Sequence, residues 1–380
     1  MELTAVGDPG SAVLGPALPD VGRACFDDGM DTADRLSAET RTVWATALCL
    51  AVGTLAGLAL LQGPPRPLTG PGSLSQPVAV IAAVIAAAAF VVSTLQHRRG
   101  ETDPMPPWQT AVSHISAVAL TVVFAAVTAL GVLLAGLVFG AGLHDFTAPA
   151  LGGALIAGVA SAIGGRFAYS AGVGLRTRDL AALLFGFLTI GTLFAMGTAA
   201  DPLWWQQNFS QLGLGVGGWA FNGTLIVAGL LFATVGSYIG RDLHRLLGDA
   251  ALQRIAVVVL LWAATGLALA VVGFVPIERN RVVHWIAAVA TLLLFALAAV
   301  ISARALPGPP RALLITTVGL GVLLVGAVVL HWPVGLYSST GLEAIAVGLG
   351  LVWMTTFVRV LAVLVPDLPR VSARTTLLKG

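Results

Sequence analysis

Side chains able to do chemistry are scarce in this chain, and they gather in one short stretch: Asp201-Pro202-Leu203-Trp204-Trp205-Gln206-Gln207-Asn208-Phe209-Ser210-Gln211-Leu212-Gly213. The run Trp219-Ala220-Phe221-Asn222-Gly223-Thr224-Leu225 follows it closely. A nucleophilic serine needs a histidine base and an acid to orient that base, and Ser210, His284 and Asp201 supply the three types. No Gly-x-Ser-x-Gly elbow presents the serine, so the three residue types alone carry that reading. A hydrolytic zinc site wants three protein ligands and an open position, for which His144, His284 and His331 are the candidates. No His-x-x-x-His pair puts two of them a turn apart on one helix. Neither a Walker loop nor a strand-to-helix glycine cradle is present, and the basic residues form no patch that would grip nucleic acid.

The elements that must position these residues are membrane helices. The chain is 57% apolar and 10% charged, against about 25% charged residues in an ordinary soluble domain. A bilayer core is crossed by about 20 apolar residues, and ten runs meet that length: 42–61, 77–95, 110–139, 151–169, 179–200, 219–239, 255–275, 282–303, 312–330 and 342–365. The fold class is therefore all-α, a polytopic bundle of about ten transmembrane helices. The third run is overlong and must tilt or protrude. The fourth is rich in glycine and carries Arg166.

Orientation follows from the rule that positive loops stay in the cytoplasm. With both termini inside, the inner segments hold Arg23, Arg35 and Arg41; Arg98 and Arg99; Arg176 and Arg178; Arg241, Arg245 and Arg254; Arg304 and Arg311; and Arg370, Arg374 and Lys379. The outer loops hold only Arg66, Arg279 and Arg281. The 201–213 stretch then emerges on the outer face. Residues 1–40 read as an acidic, mostly disordered cytoplasmic tail with a short helix near 30–40. Residues 41–175 form a four-helix membrane part, 176–366 a six-helix membrane domain and 367–380 a basic tail. Arginine outnumbers lysine so heavily, beside so much Ala, Gly, Val and Leu, that the composition points to a GC-rich bacterial genome and a multi-pass protein of the plasma (inner) membrane. Gly53-x-x-x-Gly57, Gly136-x-x-x-Gly140 and Gly236-x-x-x-Gly240 have the spacing that lets helices approach closely, and are read as packing within the chain.

Asp201-Pro202 has the form of an N-cap followed by proline at the first helical position. Trp205, Phe209 and Leu212 then fall at i, i+4 and i+7, so the spacing predicts a short amphipathic helix over 202–212, lying in the outer interface with its tryptophans at headgroup depth. Topology brings Asn222, Glu278, Arg279, Arg281, His284, His331, Tyr337 and Glu343 to the same level, with Arg281 and His284 on one face at i and i+3. Ionisable groups at a membrane boundary are costly and mark sites. The candidate binding residues are thus Asp201, Trp204, Trp205, Asn208, Ser210, Asn222, Arg281, His284, His331 and Glu343, with no catalytic or metal ligand assigned.

From 178 to 365 the chain resembles a family of bacterial six-helix membrane proteins known as domain of unknown function 998. The residues that carry this are Arg178-Asp179-Leu180, Asp201-Pro-x-Trp-Trp with Asn208-Phe-Ser-x-Leu-Gly, Phe221-Asn222-Gly-Thr-Leu-Ile-Val-Ala-Gly229, Arg241-Asp242-Leu243 and Val283-His284. The resemblance implies a six-helix bundle with no assigned activity. The functional expectation is a non-enzymatic membrane protein whose outer polar site takes a lipid headgroup or small amphiphile, with membrane lipids as partners and no cofactor. A membrane-embedded hydrolase with a metal or serine centre on the outer face, and a secondary transporter, are the alternatives. The helix centres are apolar, which disfavours transport.

Overall fold

The computed structural model describes residues 21–98 and 107–365. The basic tail at 367–380, the first half of the acidic tail, and the Arg99 end of the second inner loop lie outside these. Ten α-helices follow one another: α1 Val21–Leu60, α2 Ser75–Arg98, α3 Pro107–Gly142, α4 Ala150–Gly174, α5 Thr177–Gly197, α6 Gly218–Leu247, α7 Leu252–Phe274, α8 Arg281–Ala305, α9 Arg311–His331 and α10 Ser339–Leu364. Each contains a stretch long and apolar enough to cross a membrane. The protein is an all-α, multi-pass membrane protein. The one pair of strands among the described residues joins Arg66–Pro67 to Thr147–Ala148 and ties the α1–α2 connection to the α3–α4 connection.

Several helices run further than the hydropathy pattern predicts, α1 most of all. α1 begins at Val21, where a short helix near residue 30 was expected. Acidic residues cost a hydropathy profile its signal but are compatible with helix. α3 has 36 residues, which at 1.5 Å per residue makes it about 54 Å long, well beyond a bilayer core of about 30 Å. The described residues up to Trp44 and those from Ala45 on are separate compact units, and everything that follows concerns the second.

The glycine spacings are used inside the chain. A Cβ on Gly53 would overlap Ser161, and one on Gly57 would come within 2.7 Å of Ala154 Cα, so α1 lies directly against α4. Gly236 and Gly240 seat Trp262 and Val259 of α7. Backbone meets backbone between Gly229 of α6 and Gly266 of α7, where a Cβ on either would overlap the other's carbonyl oxygen. In lipid such backbone contact replaces the hydrophobic drive that helps helices associate in water.

Within the six-helix part, rings form a continuous interior. Phe232 lies 6.0 Å from Trp262 and from Phe295, Phe295 lies 6.0 Å from Trp353, and Trp353 stacks on Phe357 at 5.1 Å. The indole N–H groups are both satisfied, Trp262 by Ser302 Oγ at 3.1 Å and Trp353 by Thr317 Oγ1 at 2.9 Å. At the arginine-bearing ends of α5 and α6, Thr177 donates to Asp242, which also pairs with Arg241 at 3.7 Å and Arg245 at 4.0 Å. Arg178 pairs with Asp179 at 3.6 Å. These Arg-Asp pairs act within their own helices, and the Thr177–Asp242 bond ties the start of α5 to the end of α6.

Candidate functional site: a strap anchored to three helices

The stretch after α5 begins with Asp201, whose Oδ1 accepts the Leu203 N–H at 2.8 Å. That closes an Asx turn of the kind an aspartate before proline favours. The predicted amphipathic helix over 202–212 does not form. Trp204–Gln206 and Phe209–Gly213 are separate 3-10 turns, parted by Gln207 (φ −107°, ψ −84°) and by Asn208 in extended conformation (φ −163°, ψ 165°). The extended Asn208 frees the Phe209 N–H, which donates across the bundle to Glu343 Oε2 at 2.7 Å. A well-formed bond to a carboxyl oxygen outweighs one more turn of marginal helix. The expected stripe is accordingly split. Trp205 is 51% exposed, whereas Leu212 is buried and Phe209 packs on the core with Trp204, their rings 5.4 Å apart.

Three helices hold this strap. α8 starts where Asn280 accepts the Val283 N–H at 3.1 Å, which places His284 in the first turn, 3% exposed. Its Nδ1 bonds the Val275 carbonyl at 2.8 Å and its Nε2 bonds Ser210 Oγ at 2.8 Å. A carbonyl can only accept, so Nδ1 carries a hydrogen; in the neutral ring Nε2 is then the acceptor and the Ser210 hydroxyl donates. α10 starts at Ser338, whose hydroxyl accepts the Gly341 N–H at 3.4 Å, and this sets Glu343 one turn in. From α6, Asn222 Nδ2 donates to the Gly213 carbonyl at 3.0 Å. Gly213 must be glycine, because a Cβ there would meet Asn222 Oδ1 at 2.6 Å.

Asn208, Ser210, Asn222, His284 and Glu343 are therefore drawn to one end of the bundle, with Trp204 beside them. Four other candidates stand apart. Asp201 and Trp205 are exposed on the strap's outer side, and Arg281 is exposed although His284, three residues on, is buried; they are on the same helix but do not share surroundings. His331 belongs to a corner of its own, its Nδ1 bonded to the Tyr337 carbonyl at 2.9 Å and its ring stacked on Tyr337, whose hydroxyl donates to Ala327. The Val275 carbonyl and Thr340 are site groups that sequence patterns do not reveal. Thr340 Oγ1 and Asn208 Oδ1 are both buried without a hydrogen-bond partner; Asn208 precedes Phe209 in the chain, and Thr340 is three residues before Glu343.

Chemically, the Ser210–His284 pair has nucleophile and base within hydrogen-bond reach. The orienting group is the Val275 carbonyl and not Asp201, whose Oδ1 serves Leu203. For the zinc arrangement, both ring nitrogens of His284 are occupied by protein groups. Among the described residues no three His, Cys, Asp or Glu side chains are grouped to hold a metal ion. A cavity of about 480 Å³ lies elsewhere, between α3, α4 and α5, walled by Phe124, Phe167, Phe187 and Ile190.

Comparison with curated proteins and with solved structures gives no match. Residues 181–360 match the family model described as "Protein of unknown function (DUF998)". That range runs from the second turn of α5 to near the end of α10 and takes in the strap and all three of its anchors. By that match, the six-helix part of this chain is similar to the DUF998 family.

Proposed function

We propose that this protein binds a lipid headgroup or small amphiphile at the polar site beneath the Trp204–Gly213 strap, on the outer face of the plasma membrane, without catalysing a reaction. The observation that carries the reading is the convergence of Asn208, Ser210, Asn222, His284 and Glu343 at one end of the bundle, with Asn208 Oδ1 enclosed and unpartnered. Trp204 and Trp205 sit at the rim, where amphipathic rings meet headgroups. Replacing Asn208, Asn222 and His284 together with alanine is expected to lower the phospholipid that stays with the protein after repeated detergent washing. Unchanged retention together with unchanged thermal stability would refute the site.

A second reading, a hydrolase with Ser210 as nucleophile, is favoured by the 2.8 Å bond from Ser210 Oγ to His284 Nε2. Attack of Oγ on an acyl carbonyl would send its proton to Nε2 and from there to the leaving group. A fluorophosphonate that labels the wild type and not Ser210→Ala would favour this reading. Absence of Ser210 labelling favours binding alone.

A further inference from the structure

We infer that the head recognised at this site is a primary ammonium, held by Glu343, Asn208 and Thr340; the inference rests on the binding reading above and specifies its ligand. Buried polar atoms in folded proteins are nearly always hydrogen-bonded. Here Asn208 Oδ1 and Thr340 Oγ1 are not. Asn208 precedes the residue whose N–H binds Glu343, and Thr340 is three residues before Glu343 on α10, hence on the same helical face. Thr340 is only 8% exposed. Phe209 occupies Glu343 Oε2, and a carboxylate has about four lone-pair sites to offer.

The groups so assembled are acceptors: a carboxylate oxygen, an amide oxygen and a hydroxyl oxygen. A primary ammonium presents three N–H donors and no acceptor, which matches them, whereas a quaternary ammonium has no donor and a phosphate would face the carboxylate. The positive end of the α10 dipole, worth about half a charge, opposes a cation, but a deprotonated Glu343, one turn in, carries a full charge that outweighs it. The amine could belong to an aminophospholipid or to a free amine.

The test is native mass spectrometry of the full chain from vesicles holding equal amounts of phosphatidylethanolamine, phosphatidylcholine and phosphatidylglycerol, repeated with soluble ethanolamine as competitor. Wild type should retain phosphatidylethanolamine about tenfold over the other two, the effect of one hydrogen bond to a charged group. Glu343→Gln, which keeps an acceptor for Phe209, should erase the preference. Thr340→Val should weaken it by about threefold without lowering thermal stability, since it removes a hydroxyl that has no partner in the protein. Displacement by ethanolamine would assign the amine itself as ligand, and resistance to it would assign the intact lipid; either supports the proposal. Preference for phosphatidylglycerol or phosphatidylcholine that depends on Asn222 would overturn the ammonium assignment and leave the binding site standing. Retention independent of headgroup, and unaffected by all of these variants, would overturn both.

Discussion

The Ser210–His284 bond can be measured directly by a double-mutant cycle. Ser210→Ala leaves Nε2 of an almost fully buried imidazole without its donor. An orphaned buried acceptor costs about 1–3 kcal/mol, but hydrogen bonds between membrane helices couple by only about 0.6 kcal/mol on average, because the unfolded chain in a membrane also finds partners. His284 sits in the first turn of α8, at the boundary rather than the centre, so the two limits bracket the expectation: Ser210→Ala should lose about 1 kcal/mol, roughly a fivefold change in the folded ratio. His284→Ala also releases the Val275 carbonyl and empties the volume of the ring, for a loss of about 2–4 kcal/mol. The double variant should fall short of the sum by about 1 kcal/mol. Unfolding in mixed micelles titrated with dodecyl sulfate, followed by tryptophan fluorescence, gives the four free energies. Thr189→Ala is the control, since that exposed hydroxyl bonds only its own helix at Phe185. A coupling below about 0.3 kcal/mol, the scatter of independent sites, would show that the strap is not anchored through this pair.

Four further outcomes are expected. Gly229→Val or Gly266→Val should cost about 2 kcal/mol or more, because the obstacle is the opposing backbone carbonyl, while Gly223→Ala, with open space around it, should be neutral or mildly stabilising in the same unfolding assay. Asp201→Ala should destabilise the strap by about 0.5–1 kcal/mol and speed its cleavage by a protease added to the face on which it lies. Trp262→Phe should cost about 1 kcal/mol through the lost bond to Ser302, measurable as a lower thermal midpoint. A single cysteine at Val216, which is 96% exposed, placed in a background lacking Cys25 and Cys49, should react with an impermeant maleimide on intact cells. Reaction only after permeabilisation would invert the assigned orientation.

The helices were legible because a membrane span is announced by its own residues: each apolar run satisfies its backbone internally and needs no partner to declare itself. The strap was not, because its conformation is decided at a distance. Trp205, Phe209 and Leu212 have helical spacing, yet the Phe209 N–H is taken by a carboxylate 134 residues further on, and no local pattern reports that. Asn222, Ser210, His284 and Glu343 could be placed at one level by counting spans. Azimuth could not be counted, which is why Arg281 and His284, a turn apart, have opposite exposure. Thr340 carries no signal beyond being a threonine near a helix start, and becomes notable only when its hydroxyl is seen enclosed.

The ring-filled interior of the six-helix part restricts how a guest could reach the strap. With Phe232, Trp262, Phe295, Trp353 and Phe357 occupying the middle of the bundle, the axial route is plugged at the depth where a carrier would keep its cargo. A ligand of the proposed site at Glu343 would then come sideways from the adjoining leaflet or from the water above it, so a molecule with one greasy end and one wet end would arrive already oriented.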